Sequence, residues 1–121
     1  MLGTVGLERL KITCIVGIHP HERVEEQDLF IDFSVDIDFG PAAASEDVRH
    51  TVDYSEIAAE LERMAIERRY QLIETFAEEA AERVFSLYPT VQALRMTIRK
   101  PAAVPAAACS LVRIERERAQ G

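Results

Sequence analysis

Apolar and polar residues alternate most clearly along residues 29–39, LFIDFSVDIDF. A period of two places successive side chains on opposite faces of a strand, so this segment predicts a strand with one buried face. Residues 7–16 alternate less regularly and predict a preceding strand. The side chains predicted to face inward are Leu10, Ile12, Cys14 and Val16 in the first strand and Leu29, Ile31, Phe33, Val35, Ile37 and Phe39 in the second.

The connection between these strands, residues 17–27, is long and polar, and loops of this length are often functional. His19 and His21 form an H-x-H pair, which is the only metal-like spacing in the chain. No third ligand follows nearby, so the pair predicts exposed surface histidines rather than a zinc site.

The central third of the chain changes to a helical period. Gly40-Pro41 is expected to end the second strand, and residues 42–52 look irregular apart from one helical turn after Ser45. Asp53 and Glu56 then have the spacing of a capping box and predict a helix over 54–67. A second apolar stripe predicts a helix over 73–87.

Two further strands are predicted at residues 91–100 and at about 109–116, separated by the Pro- and Ala-rich segment 101–108. The order β-β-α-α-β-β predicts a single α+β domain over 1–121, in which two helices cover one face of an antiparallel sheet. The open edges of such a sheet favour pairing with another subunit.

Composition narrows the classes of partner. The 14 basic and 21 acidic residues give a net charge of −7, which argues against nucleic acid and anionic membranes as partners. No apolar run approaches the roughly 20 residues of a membrane span, and no secretory signal opens the chain, so a cytoplasmic location is expected. A chain of 121 residues leaves little room for a closed cleft, which favours a site shared between subunits.

Four residues do not fit a purely structural interpretation of the pattern. Lys100 continues the inward register of its strand, so it either snorkels to solvent or is held in a pocket. Glu74 falls in the first turn of the second helix, where an acid also complements the helix dipole. By position alone, Tyr54 in the first turn of the first helix is expected to be a half-buried packing residue, and Glu22 to be a surface acid of the long loop.

Taken together in chain order, these positions resemble the dihydroneopterin aldolase family of folate biosynthesis. The similarity runs from about Leu7 to Glu115. It rests on the blocks VGIHPHERVEEQDLFIDFSVDI, AAASEDVRHTVDYSEIAAEL, QLIETFAEEAAERV and IRKPAAVPAAACSLVRIER. The resemblance implies a tunnelling fold in which subunits close their sheets into a tetrameric barrel, usually stacked as an octamer, with active sites between neighbouring subunits.

The resemblance also implies a reaction. A carbon–carbon lyase of this family cleaves 7,8-dihydroneopterin by a retro-aldol step, without metal or cofactor, to 6-hydroxymethyl-7,8-dihydropterin and glycolaldehyde. Such aldolases commonly also epimerise the C2′ centre and give 7,8-dihydromonapterin. The expected partners are therefore a small-molecule pterin and other copies of the chain.

Binding roles are implied residue by residue. Glu74 matches the acid whose carboxylate accepts from the exocyclic NH2 and ring N–H of the pterin. Ile73 matches a position that contacts the pterin through its backbone. Val52 and Asp53 match the segment that lies beside the wall of the site for the pterin ring.

Catalytic roles are implied for three side chains, two of which also contact substrate. Lys100 matches the lysine near the breaking bond. Tyr54 matches a tyrosine that the adjacent subunit contributes to relay a proton. Glu22 matches the acid that contacts the dihydroxypropyl side and orients the proton network.

Two other functions remain open at this stage. The chain could be the related dihydroneopterin triphosphate epimerase, for which Arg23, Arg49 and Arg99 are the candidate phosphate ligands. It could instead be a pterin or purine binder that forms the same ring and has lost the chemistry.

Overall fold

The computed structural model describes residues 2–119, and in that range four strands form one antiparallel sheet in the order β1-β2-β3-β4. The strands are β1 (Gly3–Cys14), β2 (Gln27–Ile37), β3 (Ala93–Lys100) and β4 (Ser110–Glu117). Between β2 and β3 lie the helices α1 (Gly40–Ser45), α2 (Tyr54–Arg68) and α3 (Ile73–Leu87). Short 3-10 turns occur at Pro20–Arg23 and Val48–His50. The predicted α+β order is confirmed.

The core lies between one face of the sheet and the two long helices. Strict alternation in β2 buries every second side chain, as the sequence predicts, and the inward positions of β3 are equally buried. Helix α2 contacts β1, while α3 contacts β3 and β4. Cys14 is buried on the same face, which confirms its predicted place in the core. None of the helices within residues 2–119 has the length and apolar character needed to cross a bilayer.

Strand β1 begins earlier than predicted and contains a β-bulge. Its pairing with β2 shifts between Leu7 and Leu10, so that Glu8 and Arg9 lie opposite the single residue Asp32. Arg9 has a left-handed φ of 55°, and its amide donates to the Asp32 carboxylate at 2.7 Å. The extra residue changes which parity faces the core. This is why the alternation in this segment looked irregular.

Two predictions at the end of β2 are wrong. The strand ends at Ile37, and Phe39, predicted to face inward, is 39% exposed at the start of α1. Gly40 and Pro41 begin α1 instead of ending a strand, so residues 40–45 are helical. Proline is well suited to the first turn of a helix, because its missing N–H has no intrahelical partner there.

Helix α2 is capped as predicted, but only half of the capping box forms. The Asp53 carboxylate accepts hydrogen bonds from the amides of Ser55 at 3.0 Å and Glu56 at 3.3 Å. The Glu56 carboxylate turns to the Tyr88 hydroxyl, which donates to it at 2.9 Å. The Asp53 amide donates to the same hydroxyl at 3.3 Å, so Tyr88 ties the start of α2 to the end of α3.

Helices α2 and α3 are antiparallel and give the molecule two distinct ends. Each helix has 15 residues, which corresponds to a length of about 22 Å. The end that holds the α2–α3 connection also holds the end of β3, and we call it the lysine end after Lys100. The opposite end holds the start of α2, and we call it the tyrosine end after Tyr54.

Candidate active site

A buried ion pair marks the lysine end. Lys100 Nζ donates to Glu22 Oε2 at 3.0 Å, and the side chains are 14% and 5% exposed. Lys100 therefore occupies a pocket and does not snorkel to solvent. Its strand register directs the ammonium inward, where a carboxylate from the loop after β1 meets it.

The Glu22 carboxylate is held by three donors. Besides Lys100, the Gln27 side chain donates to Oε2 at 3.0 Å and the His19 amide donates to Oε1 at 3.2 Å. Burial alone raises the pKa of Glu22, but the hydrogen bonds from Gln27, Lys100 and His19 outweigh it and lower the pKa to about 2. Glu22 is therefore a fixed anion at physiological pH, and its surface-acid interpretation is wrong.

Gly17 makes room for this carboxylate. Its φ is +124°, and a Cβ built on it would lie 2.2 Å from the carboxyl carbon of Glu22. The 3-10 turn Pro20–Arg23 folds the chain back so that Glu22 covers the glycine. Only glycine accommodates both the backbone conformation and the close approach.

Glu74 lies at the lysine end, in the first turn of α3, with its side chain exposed and Ile73 buried beside it. The chain before it is fixed to the loop of Glu22, because the Gly17 amide donates to the Tyr70 carbonyl at 3.0 Å. The Tyr70 ring is buried and stacks on Phe76 with a centroid distance of 5.0 Å. An exposed acid and a buried acid–amine pair thus share one end of the protein.

Tyr54 lies at the tyrosine end. Tyr54 is 51% exposed at the start of α2, so it is half-buried, as its position alone suggested. Val52 is buried just before it, and Asp53 serves as the helix cap. The length of the antiparallel helix pair separates Tyr54 from Lys100 within one chain. The structure therefore brings Glu22, Lys100 and Glu74 to one end and leaves Tyr54 at the other.

Three residues at the lysine end were missed as parts of the site. Gly17 and Gln27 were interpreted only as parts of the long polar connection, and Arg23 only as a candidate phosphate ligand. Their roles depend on contacts between separate segments, which the periodicity of one segment does not show.

No group of three or more His, Cys, Asp and Glu side chains in residues 2–119 is arranged to hold a metal ion. His19 and His21 are exposed, with their rings stacked at a centroid distance of 5.9 Å. The prediction of a surface histidine pair is confirmed.

Comparison with known proteins identifies the family. The family model for FolB, dihydroneopterin aldolase, matches residues 5–117 of this chain. The chain belongs to the dihydroneopterin aldolase family. The predicted family is therefore confirmed.

Individual relatives are similar in sequence to this chain over most of their length. Dihydroneopterin aldolase of Methylorubrum extorquens is 33% identical over 107 residues, 88% of this chain and 82% of that protein. The Escherichia coli K12 enzyme is 33% identical over 112 residues, 93% of this chain and 91% of that protein. The crystal structure of E. coli dihydroneopterin aldolase in complex with neopterin matches with a TM-score of 0.88 and 32% identity, covering 94% of this chain and 98% of that chain.

Proposed function

We propose that this protein is a dihydroneopterin aldolase that cleaves 7,8-dihydroneopterin into 6-hydroxymethyl-7,8-dihydropterin and glycolaldehyde. Its family and the neopterin-bound E. coli relative support a carbon–carbon lyase with a pterin substrate. The observation that carries the proposal is the buried pair of Lys100 and Glu22, 3.0 Å apart, at the same end of the protein as exposed Glu74.

The substrate needs little more than positioning and proton transfer. A base removes the proton of the C2′ hydroxyl, the C1′–C2′ bond breaks, and glycolaldehyde leaves. The electron pair of that bond moves into the conjugated N5=C6 imine, which becomes an enamine. Protonation of the enamine carbon then gives the hydroxymethyl product.

The residues of the lysine end suit these steps. We assign Lys100 to exchange the hydroxyl proton, directly or through one water, and Glu22 to orient Lys100 and the dihydroxypropyl chain. Glu74 accepts two parallel hydrogen bonds from the exocyclic NH2 and ring N–H of the pterin. The Ile73 backbone contacts the same ring.

The tyrosine end completes the proposed site from a second chain. Tyr54 relays the proton to the enamine carbon, and Val52 and Asp53 line the wall beside the ring. The separation of Tyr54 from Lys100 supports this sharing, and so do the two edge strands, β1 and β4, which can pair with neighbouring sheets. We propose that residues 1–121 form one domain that assembles into a tetramer or octamer and works in the cytoplasm.

The candidate phosphate ligands of the triphosphate epimerase all have other partners. Arg49 pairs with Asp47 at 2.6 Å, and Arg99 pairs with Asp32 at 2.5 Å. Arg23 donates to backbone carbonyls. These contacts favour the free diol over the triphosphate as substrate. Epimerisation to 7,8-dihydromonapterin stays a prediction. It would follow if the enamine recombined with glycolaldehyde by attacking the other face of the aldehyde carbon.

The test is turnover of 7,8-dihydroneopterin by the purified protein. We expect equal amounts of glycolaldehyde and 6-hydroxymethyl-7,8-dihydropterin, and slower turnover of the triphosphate. Pterin binding without cleavage would reject the aldolase and favour a binding protein. Faster turnover of the triphosphate would favour the epimerase.

A further inference from the structure

Arg23 connects the loop of Glu22 to the connection between α2 and α3. Its Nη1 donates to the carbonyls of Gly17 at 3.1 Å and Tyr70 at 3.3 Å, and its Nη2 donates to the carbonyl of Arg69 at 2.9 Å. One guanidinium thus binds three backbone carbonyls from two segments that are distant in sequence.

The position of these carbonyls explains why an arginine fits here. Arg69 ends α2 in a left-handed conformation with a φ of 46°. Carbonyls at a helix C-terminus lack intrahelical partners and lie at the negative end of the helix dipole. The planar fork of Arg offers several donors at once in a fixed geometry, which Lys lacks.

Each segment that Arg23 joins holds one part of the proposed site. Gly17 lies directly beneath the Glu22 carboxylate, which receives the Lys100 ammonium. Tyr70 stacks on Phe76 in α3, the helix that begins with Glu74 in its first turn. The guanidinium therefore sits between the group assigned to proton transfer and the group assigned to pterin binding.

We propose that Arg23 is a positioning residue that sets the distance between the Lys100–Glu22 pair and Glu74. In this role, Arg23 keeps the Lys100–Glu22 pair close to the C2′ hydroxyl of a pterin that is bound at Glu74. Arg23 itself touches neither the substrate nor the reacting atoms. The inference rests on the proposed function. An error of about 1 Å in such a distance costs about 100-fold in rate.

The first test compares Arg23→Met with wild type. We expect kcat for 7,8-dihydroneopterin to fall about 10- to 100-fold, with a smaller change in KM, because Glu74 still binds the pterin ring. Arg23→Lys keeps the positive charge but not the forked guanidinium, so its kcat should lie between those of Arg23→Met and wild type. The control is Arg63→Met, because Arg63 pairs with Glu60 and Glu67 on the outer face of α2, away from the site.

A double-mutant cycle separates positioning from a general loss of structure. If Arg23 acts through the placement of Glu22, Arg23→Met should lower kcat less than about threefold in a Glu22→Gln background. Equal losses in both backgrounds, or no loss in wild type, would overturn the inference. Should Arg23→Met fail to fold, Arg23→Lys completes the same cycle. A wild-type protein that binds pterin without cleaving it would instead reject the proposed function, and the inference with it.

Discussion

The two ends of the helix pair are built differently. At the lysine end, Glu22 is 5% exposed and each of its carboxylate oxygens accepts at least one hydrogen bond. At the tyrosine end, Tyr54 is 51% exposed, and the hydrogen bonds there fix the backbone of Asp53. One end holds charged groups in a fixed geometry, whereas the other presents an aromatic alcohol outward on a rigid helix terminus.

Under the proposed function, this difference lets a short chain complete a site with a second copy of itself. The donors described for the Glu22 carboxylate, from His19, Gln27 and Lys100, all belong to the same chain. A residue that must meet a second subunit has to be exposed, and Tyr54 is. The contrast predicts that substitutions at the two ends change different measured properties of the protein.

The largest effect is expected for Lys100→Met. Losing the group assigned to exchange the substrate proton should lower kcat about 100- to 10,000-fold, while pterin affinity measured by fluorescence titration changes little. The matched control is Lys11→Met, because Lys11 is the other lysine of the chain and lies exposed on β1 beside Asp28. A Lys100→Met protein with normal kcat would contradict the role assigned to Lys100.

Mixing subunits tests whether the two ends meet. Tyr54→Phe and Lys100→Met should each be nearly inactive alone. When they are co-expressed and purified through two different tags, random assembly should restore about a quarter of the sites, since each site then draws its ends from two chains.

The matched control for this experiment is co-expression of Lys100→Met with Glu22→Gln. Both changes lie at the same end of one chain, so no site regains both wild-type residues. The absence of recovery with Tyr54→Phe would show that the site lies within one subunit, whereas recovery in the control would show that activity does not require Lys100 and Glu22 from the same chain.

A smaller effect is expected for Glu74→Gln. Replacing the charged acceptor should weaken pterin binding about 10- to 100-fold, with kcat at saturating substrate falling less. Calorimetry with neopterin measures the affinity. Glu82→Gln, an exposed residue farther along α3, is the control, and an equal loss there would show that Glu74 has no specific role.

The smallest effect concerns stability and pH. The pKa of Glu22 is about 2 in the folded protein against an ordinary value of 4.5, so its ionised form stabilises the fold above pH 4.5, and this is lost as pH falls toward 2. Glu22→Gln should therefore cost at most about 3 kcal/mol in the free energy of unfolding at pH 7. The difference should shrink between pH 4.5 and pH 3 in urea titrations. A difference independent of pH would contradict this explanation.

The sequence predicted the parts of the fold that depend on one segment at a time. The alternation in β2 and the apolar stripe of α3 gave their buried faces, because each pattern is set by local geometry. The register of β3 pointed Lys100 inward for the same reason. The bulge at Glu8 and Arg9 escaped prediction because a single extra residue only makes the alternation irregular, and an irregular alternation does not identify a bulge.

The site was predictable mainly through the family resemblance. Pattern alone gave Glu22 a surface location, since the segment around it is polar. Its burial depends on Gly17, Gln27 and Lys100, which come together only in the folded chain. The resemblance supplied the residues, and the structure supplies the contacts that keep Glu22 ionised.

The burial of Cys14 also decides how the protein reacts with thiol reagents. Burial, with smaller contributions from Glu26 and Asp28, raises the pKa of its thiol to about 11, so only about one molecule in 10,000 carries the reactive thiolate at neutral pH. Cys109 is partly exposed just before β4. A maleimide dye should therefore label each chain at that single sulfur and leave the core untouched.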